Sequence, residues 1–206
     1  MAQDERRNSI LKAAIDAIHH DGLPFISNDL IAKKSGVSRQ LIRYYFKSKE
    51  ELMIEICDML AAAYRKALVD VALSNDSANR LEQLLDFYFD FLEGKTKPRD
   101  DQVYDAMMSL AAGSPAVKEN LRGQYSLLGS VVSQEITVNY PNITVEDADQ
   151  LSYLFVCLMY GHWKMVATLG LNETHRVITR KAIDRLISSY QQSPSKPEDQ
   201  PKIWSV

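Results

Sequence analysis

Only two cysteines, Cys57 and Cys157, occur in 206 residues, and they stand far apart. With no C-x-x-C pair there is no basis for a disulfide framework or a zinc site, and a reducing cytoplasm is the expected setting. Catalytic signatures are missing too. The chain has no G-x-S-x-G, no Walker A run, no G-x-G-x-x-G and no H-E-x-x-H, so no enzyme activity is expected. His19 and His20 are neighbours on a helical stretch. Their side chains diverge by about 100° and cannot share a metal locally. The opening MAQDERRNSI lacks the apolar stretch of a signal peptide, and no run of eighteen apolar residues exists. No membrane segment is therefore expected. No internal repeat or low-complexity tract is visible, and nothing calls for a cofactor or a metal.

What is present is ordinary for a globular protein: 46% hydrophobic and 25% charged residues. The length allows one domain or two small ones with enough core to fold unstapled. The apolar pattern is helical nearly throughout. Glu5 to Asp21 carries Ile10, Ala13, Ala14, Ala17 and Ile18 on one face, and Gly22 stops it. From Ser48 an unbroken periodic stretch runs to about Leu73, followed by a turn over 74–79. Further helices are expected over Leu81–Glu93, over Gln102–Ala112, and from Pro115 to about Thr137, with Ser114 as N-cap. A polar loop, GKTKPRDD, fills 94–101. After the NYPN turn, Thr144 caps a helix through Leu169, Gly170 ends it, and Asn172 caps a last helix to about Tyr190. This gives an all-α fold of about nine helices: a three-helix head over residues 1–50, a helical body over 51–191 and a proline-rich, disordered tail over 192–206. Trp204 in that tail reads as loose more readily than docked.

The stretch Ser27–Leu52, SNDLIAKKSGVSRQLIRYYFKSKEEL, organises the head. Ser27 is an N-cap before Leu30 and Ile31. Gly36 sits where the chain turns sharply and a positive φ is expected. Ser38 caps a second helix with Leu41, Ile42, Tyr45 and Phe46 as its apolar stripe. Ser48 to Glu51 fits the S-x-x-E capping box. Small Ala32, Gly36 four residues on and Ile42 six further is helix-turn-helix spacing. Leu23 and Phe25 are expected to pack beneath it. From Lys33 to Lys49 there are six basic residues and no acid. Residues 1–50 hold nine Lys and Arg against six Asp and Glu, while 51–206 hold fifteen against twenty-one, so net +3 meets net −6. A basic head on an acidic body suits a DNA reader with a separate second domain. A solvated helical hairpin is the bland alternative.

A helix followed by IAKKSGVSRQLIRYYFKSKEEL resembles the N-terminal domain of the TetR family of bacterial transcriptional regulators. LMYGHWKMVATLG in the second half resembles the choline-responsive BetI branch more loosely. Two positions depart from the family pattern: Arg43 where tyrosine is frequent, and Ser35 where alanine is usual. The resemblance places Arg6 and Arg7 near the DNA backbone. It implies a homodimer reading a palindromic double-stranded DNA operator. Base readers would be Arg39, Gln40, Arg43 and Tyr44, on the exposed side of the second helix. Arg39 has the donors for guanine, and Gln40 the donor and acceptor for adenine. Phosphate contacts would come from Ser27, Ser38, Tyr44, Lys47 and Lys49. Lys49 stands in the first turn of its helix, where a cation is locally unfavourable.

The body is rich in aromatic and sulfur side chains. Tyr64, Tyr88, Phe91, Tyr104 and Met108 lie in its earlier helices, and Tyr125, Tyr160, His162 and Trp163 in the later ones. Any one of them fits plain core packing. As a set they suit a cavity for an amphipathic or quaternary-ammonium effector. His162 reads as a pocket or interior histidine, and nothing electropositive in sequence activates Cys157. Leu151, Leu154, Phe155 and Leu158, with Ile178, Ala182, Ile183 and Leu186, exceed what one internal face needs. They form the candidate dimer interface, a four-helix bundle of two copies. The reading is a cytoplasmic, ligand-responsive regulator, a repressor released by its effector. The competing reading is an effector-independent nucleoid or cell-division factor on the same fold.

Overall fold

A computed structural model describes residues 2–22, 26–74, 80–89, 91, 101–171, 173–193 and 203–204. Among these residues there are nine α-helices and no strand. The helices are α1 (Ala2–Asp21), α2 (Asn28–Ser35), α3 (Arg39–Tyr45), α4 (Lys49–Ser74), α5 (Arg80–Tyr88), α6 (Asp101–Ala111), α7 (Pro115–Asn139), α8 (Val145–Trp163) and α9 (Glu173–Gln192). No helix among the described residues is long and apolar enough to cross a membrane. The turn expected at 75–79, most of the polar loop, Leu23, Phe25, Asn172 and tail residues 194–202, 205 and 206 lie outside the described residues.

The chain divides into two units. The first comprises Met1–Ala63 and Arg99–Leu121. Its core takes Ile10, Ala14, Ala17 and Ile18 from α1, Ile31 from α2 and Ile42 from α3. Met53 and Ile56 of α4 and Val103 and Met107 of α6 are buried with them. Polar ties supplement this packing. The Arg7 guanidinium pairs with Glu55 and lies 5.7 Å from the centre of the Phe46 ring. Ser114 caps α7 by accepting from the Val117 N–H at 3.1 Å, and its own hydroxyl donates to Glu50.

The second unit comprises Tyr64–Pro98 and Arg122–Val206. Its core joins Leu81, Leu85 and Phe87 of α5 to Val132 and Ile136 of α7, Leu151 and Phe155 of α8, and Ile183 and Ile187 of α9. Arg180 of α9 staples α5, donating to Asp86 at 2.9 Å and also pairing with Glu82 and with Asp184.

Two helices end earlier than the pattern suggests. α5 stops at Tyr88 rather than Glu93, closed by bonds from the Phe89 and Phe91 N–H groups to the Asp86 carbonyl at 3.3 and 2.9 Å. Phe87, Tyr88 and Phe89 are all buried. Three consecutive buried side chains exceed one helical stripe, so the backbone leaves the helix there. α8 ends at Trp163 and continues as a π turn over Lys164–Thr168, not as α-helix to Leu169. His162 and Trp163 are both buried, and the wider turn re-phases the residues after them. Gly170, at φ 71°, then ends the segment as expected. Trp204 also departs from expectation. It is half-buried, its indole N–H donating to the Ser152 hydroxyl at 2.7 Å.

Candidate nucleic-acid interface

The candidate interface is built from two short helices that could not stand alone. Ser27 is extended at φ −133°, ψ 159°, and its hydroxyl accepts from the Leu30 N–H at 3.2 Å. α2 closes at Gly36, whose φ of 71° is left-handed and whose N–H donates to the Ala32 carbonyl at 2.9 Å. Two residues on, Ser38 repeats the cap, accepting from the Leu41 N–H at 3.2 Å. Each cap satisfies an N–H that a helix end leaves open, and each is worth about 1 kcal/mol. Ile31 and Ile42, both 1% exposed, anchor the two helices in the core. Ser35, where alanine is usual, loses nothing by its hydroxyl, which donates to the Ile31 carbonyl at 2.6 Å.

Burying Ile42 turns the opposite side of α3 outward. Arg39, Gln40, Arg43 and Tyr44 are all exposed, Tyr44 at 70%. The Tyr44 ring is held edge-on to Tyr45 at 5.3 Å between centres. At the start of α4, Ser48 accepts from the Glu51 N–H at 3.0 Å. The Glu51 carboxylate reaches back to the Lys47 N–H at 2.7 Å, one residue earlier than in the usual capping box. Ser27, Ser38, Lys47 and Lys49 are exposed. Among the described residues, Lys47 and Lys49 make no ion pair.

Not every cation of the basic run is available. Lys34 is bonded to Asp16 at 2.8 Å and stands 3.7 Å from Asp21. The hydrogen bond to Asp16 raises the Lys34 pKa and lowers that of Asp16. Arg7 is likewise committed to Glu55, inside the head. Arg39 pairs with Asp29 at 2.9 Å. Sequence reasoning missed Asp16 and Asp29, since neither shares a helix with the cation it holds.

Residues 10–56 match the family model for bacterial regulatory proteins of the tetR family. The helix-turn-helix head is thus similar to that of the TetR family. The transcriptional activator FasR of Mycolicibacterium smegmatis is 32% identical over 97 residues, 45% of this chain and 43% of FasR. The regulator BetI of Escherichia coli is 25% identical over 175 residues, 82% of this chain and 85% of BetI. The chain thus matches less than half of the length of FasR. Among solved structures, a TetR transcription regulator from Haloarcula marismortui superposes with TM-score 0.77 at 18% identity, covering 90% of this chain and 98% of that one. A regulator from Saccharomonospora viridis in complex with choline gives TM-score 0.74 at 21% identity, over 90% and 96%. These two likenesses speak to the fold.

The candidate DNA-contact residues all lie in the first unit, whereas the candidate effector residues are divided. Tyr104 and Met108 lie on α6, in the first unit; the other seven belong to the second. There Tyr64 stacks on Tyr88 at 6.4 Å, with ring planes 4° apart. The Trp163 indole N–H donates to the Tyr88 carbonyl at 2.9 Å, inside the core cluster. His162 is buried beside Trp163 and Phe89, with Nδ1 3.1 Å from the Thr179 hydroxyl. Tyr125 meets Tyr160 edge-on at 6.4 Å. Two of the rings already carry cations of the chain: Lys164 lies 5.1 Å from Tyr160, and Arg176 5.3 Å from Phe91.

The candidate dimer residues also divide. Leu151, Phe155 and Ile183 are buried in the protomer's own core and offer no surface, which corrects their assignment as contact residues. An i, i+4 apolar stripe does not reveal which of its members the protomer itself covers. Leu154, Leu158, Ala182 and Leu186 are half-buried, and Ile178 is 61% exposed.

Proposed function

We propose that the chain is a homodimeric, effector-responsive repressor of transcription that acts on a near-palindromic double-stranded DNA operator in the cytoplasm. One observation carries this: the Ser27 cap, the Gly36 turn and the Ser38 cap hold α3 so that Arg39, Gln40, Arg43 and Tyr44 share one exposed side. An α-helix fits the major groove, and such side chains read base edges there. Ser27, Ser38, Tyr44, Lys47 and Lys49 flank that side as phosphate contacts. They set position, and the α3 side chains set sequence.

Pairing of two copies through Leu154, Leu158, Ile178, Ala182 and Leu186 places two heads on half-sites one or more helical turns apart. The second unit binds a small amphipathic effector among its aromatic side chains. The choline complex of the Saccharomonospora viridis protein and the similarity to BetI support a quaternary ammonium. The effector acts by favouring an arrangement of heads that no longer fits the operator. Taking occupancy from 99:1 to 1:99 calls for about 5.5 kcal/mol of differential affinity.

Selection from a random duplex library tests the reading. The expected product is an inverted repeat. A single, unrepeated half-site would remove the dimer, and no enrichment at all would remove the operator. Native mass spectrometry of the purified protein identifies a co-purifying effector.

A further inference from the structure

Three observations in the second unit converge on the end of the chain. Ser152 of α8 is fully buried, and its hydroxyl proton is committed to the Asp149 carbonyl at 2.8 Å. The hydroxyl therefore presents lone pairs alone to its other side. An indole N–H is a donor with no acceptor character, and Trp204 supplies it at 2.7 Å. Ser126 of α7 donates to the Trp204 carbonyl at 2.6 Å, so main chain and side chain are gripped separately. Tyr153 flanks the indole at 5.9 Å between ring centres.

The third observation is Gly129, buried inside α7. Glycine is unfavourable within a helix relative to alanine. No positive φ explains it, because the left-handed glycines are Gly22, Gly36 and Gly170. A Cβ at Gly129 would overlap Cε2, Cζ2 and Cδ2 of the Trp204 indole, whereas Gly123 and Gly161, also helical, face open space. The missing methyl at 129 is the floor on which the ring lies.

We propose that Ser126, Gly129, Ser152 and Tyr153 form a receptor notch for an indole, filled in cis by Trp204, which thereby acts as a latch fastening α7 to α8. The notch selects tryptophan over other aromatic residues. Phenylalanine has no N–H for the acceptor-only Ser152, and tyrosine carries its hydroxyl elsewhere on the ring. Free indoles and tryptophan-tipped peptides are the ligand class that competes with the latch.

Two measurements on the full chain test this. With 5-fluorotryptophan incorporated, the protein has two fluorine resonances, from Trp163 and Trp204, assigned through Trp204→Phe. The Trp204 resonance should stand apart from its denatured position in the parent. In Gly129→Ala it should move to that position, with the Trp163 resonance and helicity retained. A parent Trp204 resonance already at the denatured position, or one unmoved by Gly129→Ala, overturns the latch.

The second measurement leaves the floor intact. Full-length Trp204→Ala is titrated with the hexapeptide Pro-Lys-Ile-Trp-Ser-Val. Saturable binding is expected, at least tenfold weaker when alanine replaces the peptide tryptophan and at least threefold weaker when the receptor also carries Ser152→Ala. No saturable binding, or equal binding of the two peptides, overturns the receptor.

Discussion

Asp29 in the first turn of α2 holds Arg39, the first residue of α3, by an ion pair of 2.9 Å that bridges the turn at Gly36. The acid is well placed for its own helix, because a carboxylate near an N-terminus is stabilised by the helix dipole. On the proposed reading it is badly placed for DNA, since it occupies the side chain nominated to read guanine and would add a negative charge beside the phosphates. Both partners are well exposed, so the pair is worth at most about 1 kcal/mol. That is small enough for DNA to break, and large enough to measure. Asp29→Asn should tighten binding about two- to fivefold and shift the preferred base under Arg39 little. Equilibrium binding to the selected operator and to a scrambled duplex reads both effects. Unchanged affinity on both would leave Asp29 without influence on DNA.

His19 is expected to make folding pH-dependent. Burial is the main cause of its lowered pKa, opposed by Asp16 and Asp101. A histidine depressed in the folded state binds its proton more readily when unfolded, so stability falls on acidification. The loss begins near the unfolded value of about 6.5 and continues until the folded pKa is passed. Above that window His19 is neutral in both states and contributes no slope. Denaturant titrations between pH 7.5 and 5 should show a smaller acid loss for His19→Gln than for the parent. Parallel curves would assign the acid sensitivity to other groups.

Arg180 is the second unit's main polar staple. It has three carboxylate partners, yet its own side chain is only 10% exposed. Arg180→Met removes the charge-assisted bonds and leaves Glu82, Asp86 and Asp184 to repel one another. Because those acids stay partly solvated, the expected cost is about 2–3 kcal/mol. A loss below about 0.5 kcal/mol in chemical denaturation would show solvent replacing the staple without penalty.

The head is legible in the sequence because its determinants are local. Ser27, Gly36, Ser38 and Ser48 each act within four residues, so spacing alone locates them. Features that sequence misses depend on partners far along the chain. Asp16 reaches Lys34 from another helix. Phe89 and Trp163 break helical phase because of the side chains that pack on them. Leu151, Phe155 and Ile183 pass for a dimer surface because periodicity reports an apolar stripe but not its cover. Trp204 is unreadable for the same reason: its site is made by Ser126, Gly129 and Ser152 on two other helices.

Burial of Leu151, Phe155 and Ile183 within the protomer changes which variants test dimerisation. Ile183→Glu would bury a carboxylate in the protomer's own core and unfold it. Leu154→Arg and Ile178→Glu alter side chains the protomer leaves half-buried or exposed. If two copies meet there, either variant buries an unpaired charge at a cost of several kcal/mol in the pair. Sedimentation should then give a helical monomer with weakened operator binding. A helical dimer in both variants would move the interface elsewhere.

On the proposed reading, Lys49 separates anchoring from base reading. It begins α4, where the positive end of the helix disfavours a cation, and Glu50 and Glu51 beside it are what the dipole prefers. Lys49 is exposed and makes no ion pair among the described residues. A side chain kept where its own helix repels it gains from an external anion, and a DNA phosphate fits. Each phosphate neutralised contributes about 0.9 to the slope of log K against log salt. Lys49→Ala should therefore flatten that slope by about 0.9 for each copy in contact, about 2 for a bound dimer. Affinity should fall by a similar factor on operator and scrambled duplex, because a phosphate contact carries no base information. Measuring binding from 50 to 300 mM salt on both duplexes gives slope and specificity together. An unchanged slope would return Lys49 to ordinary solvated surface. A loss confined to the operator would make it a base reader.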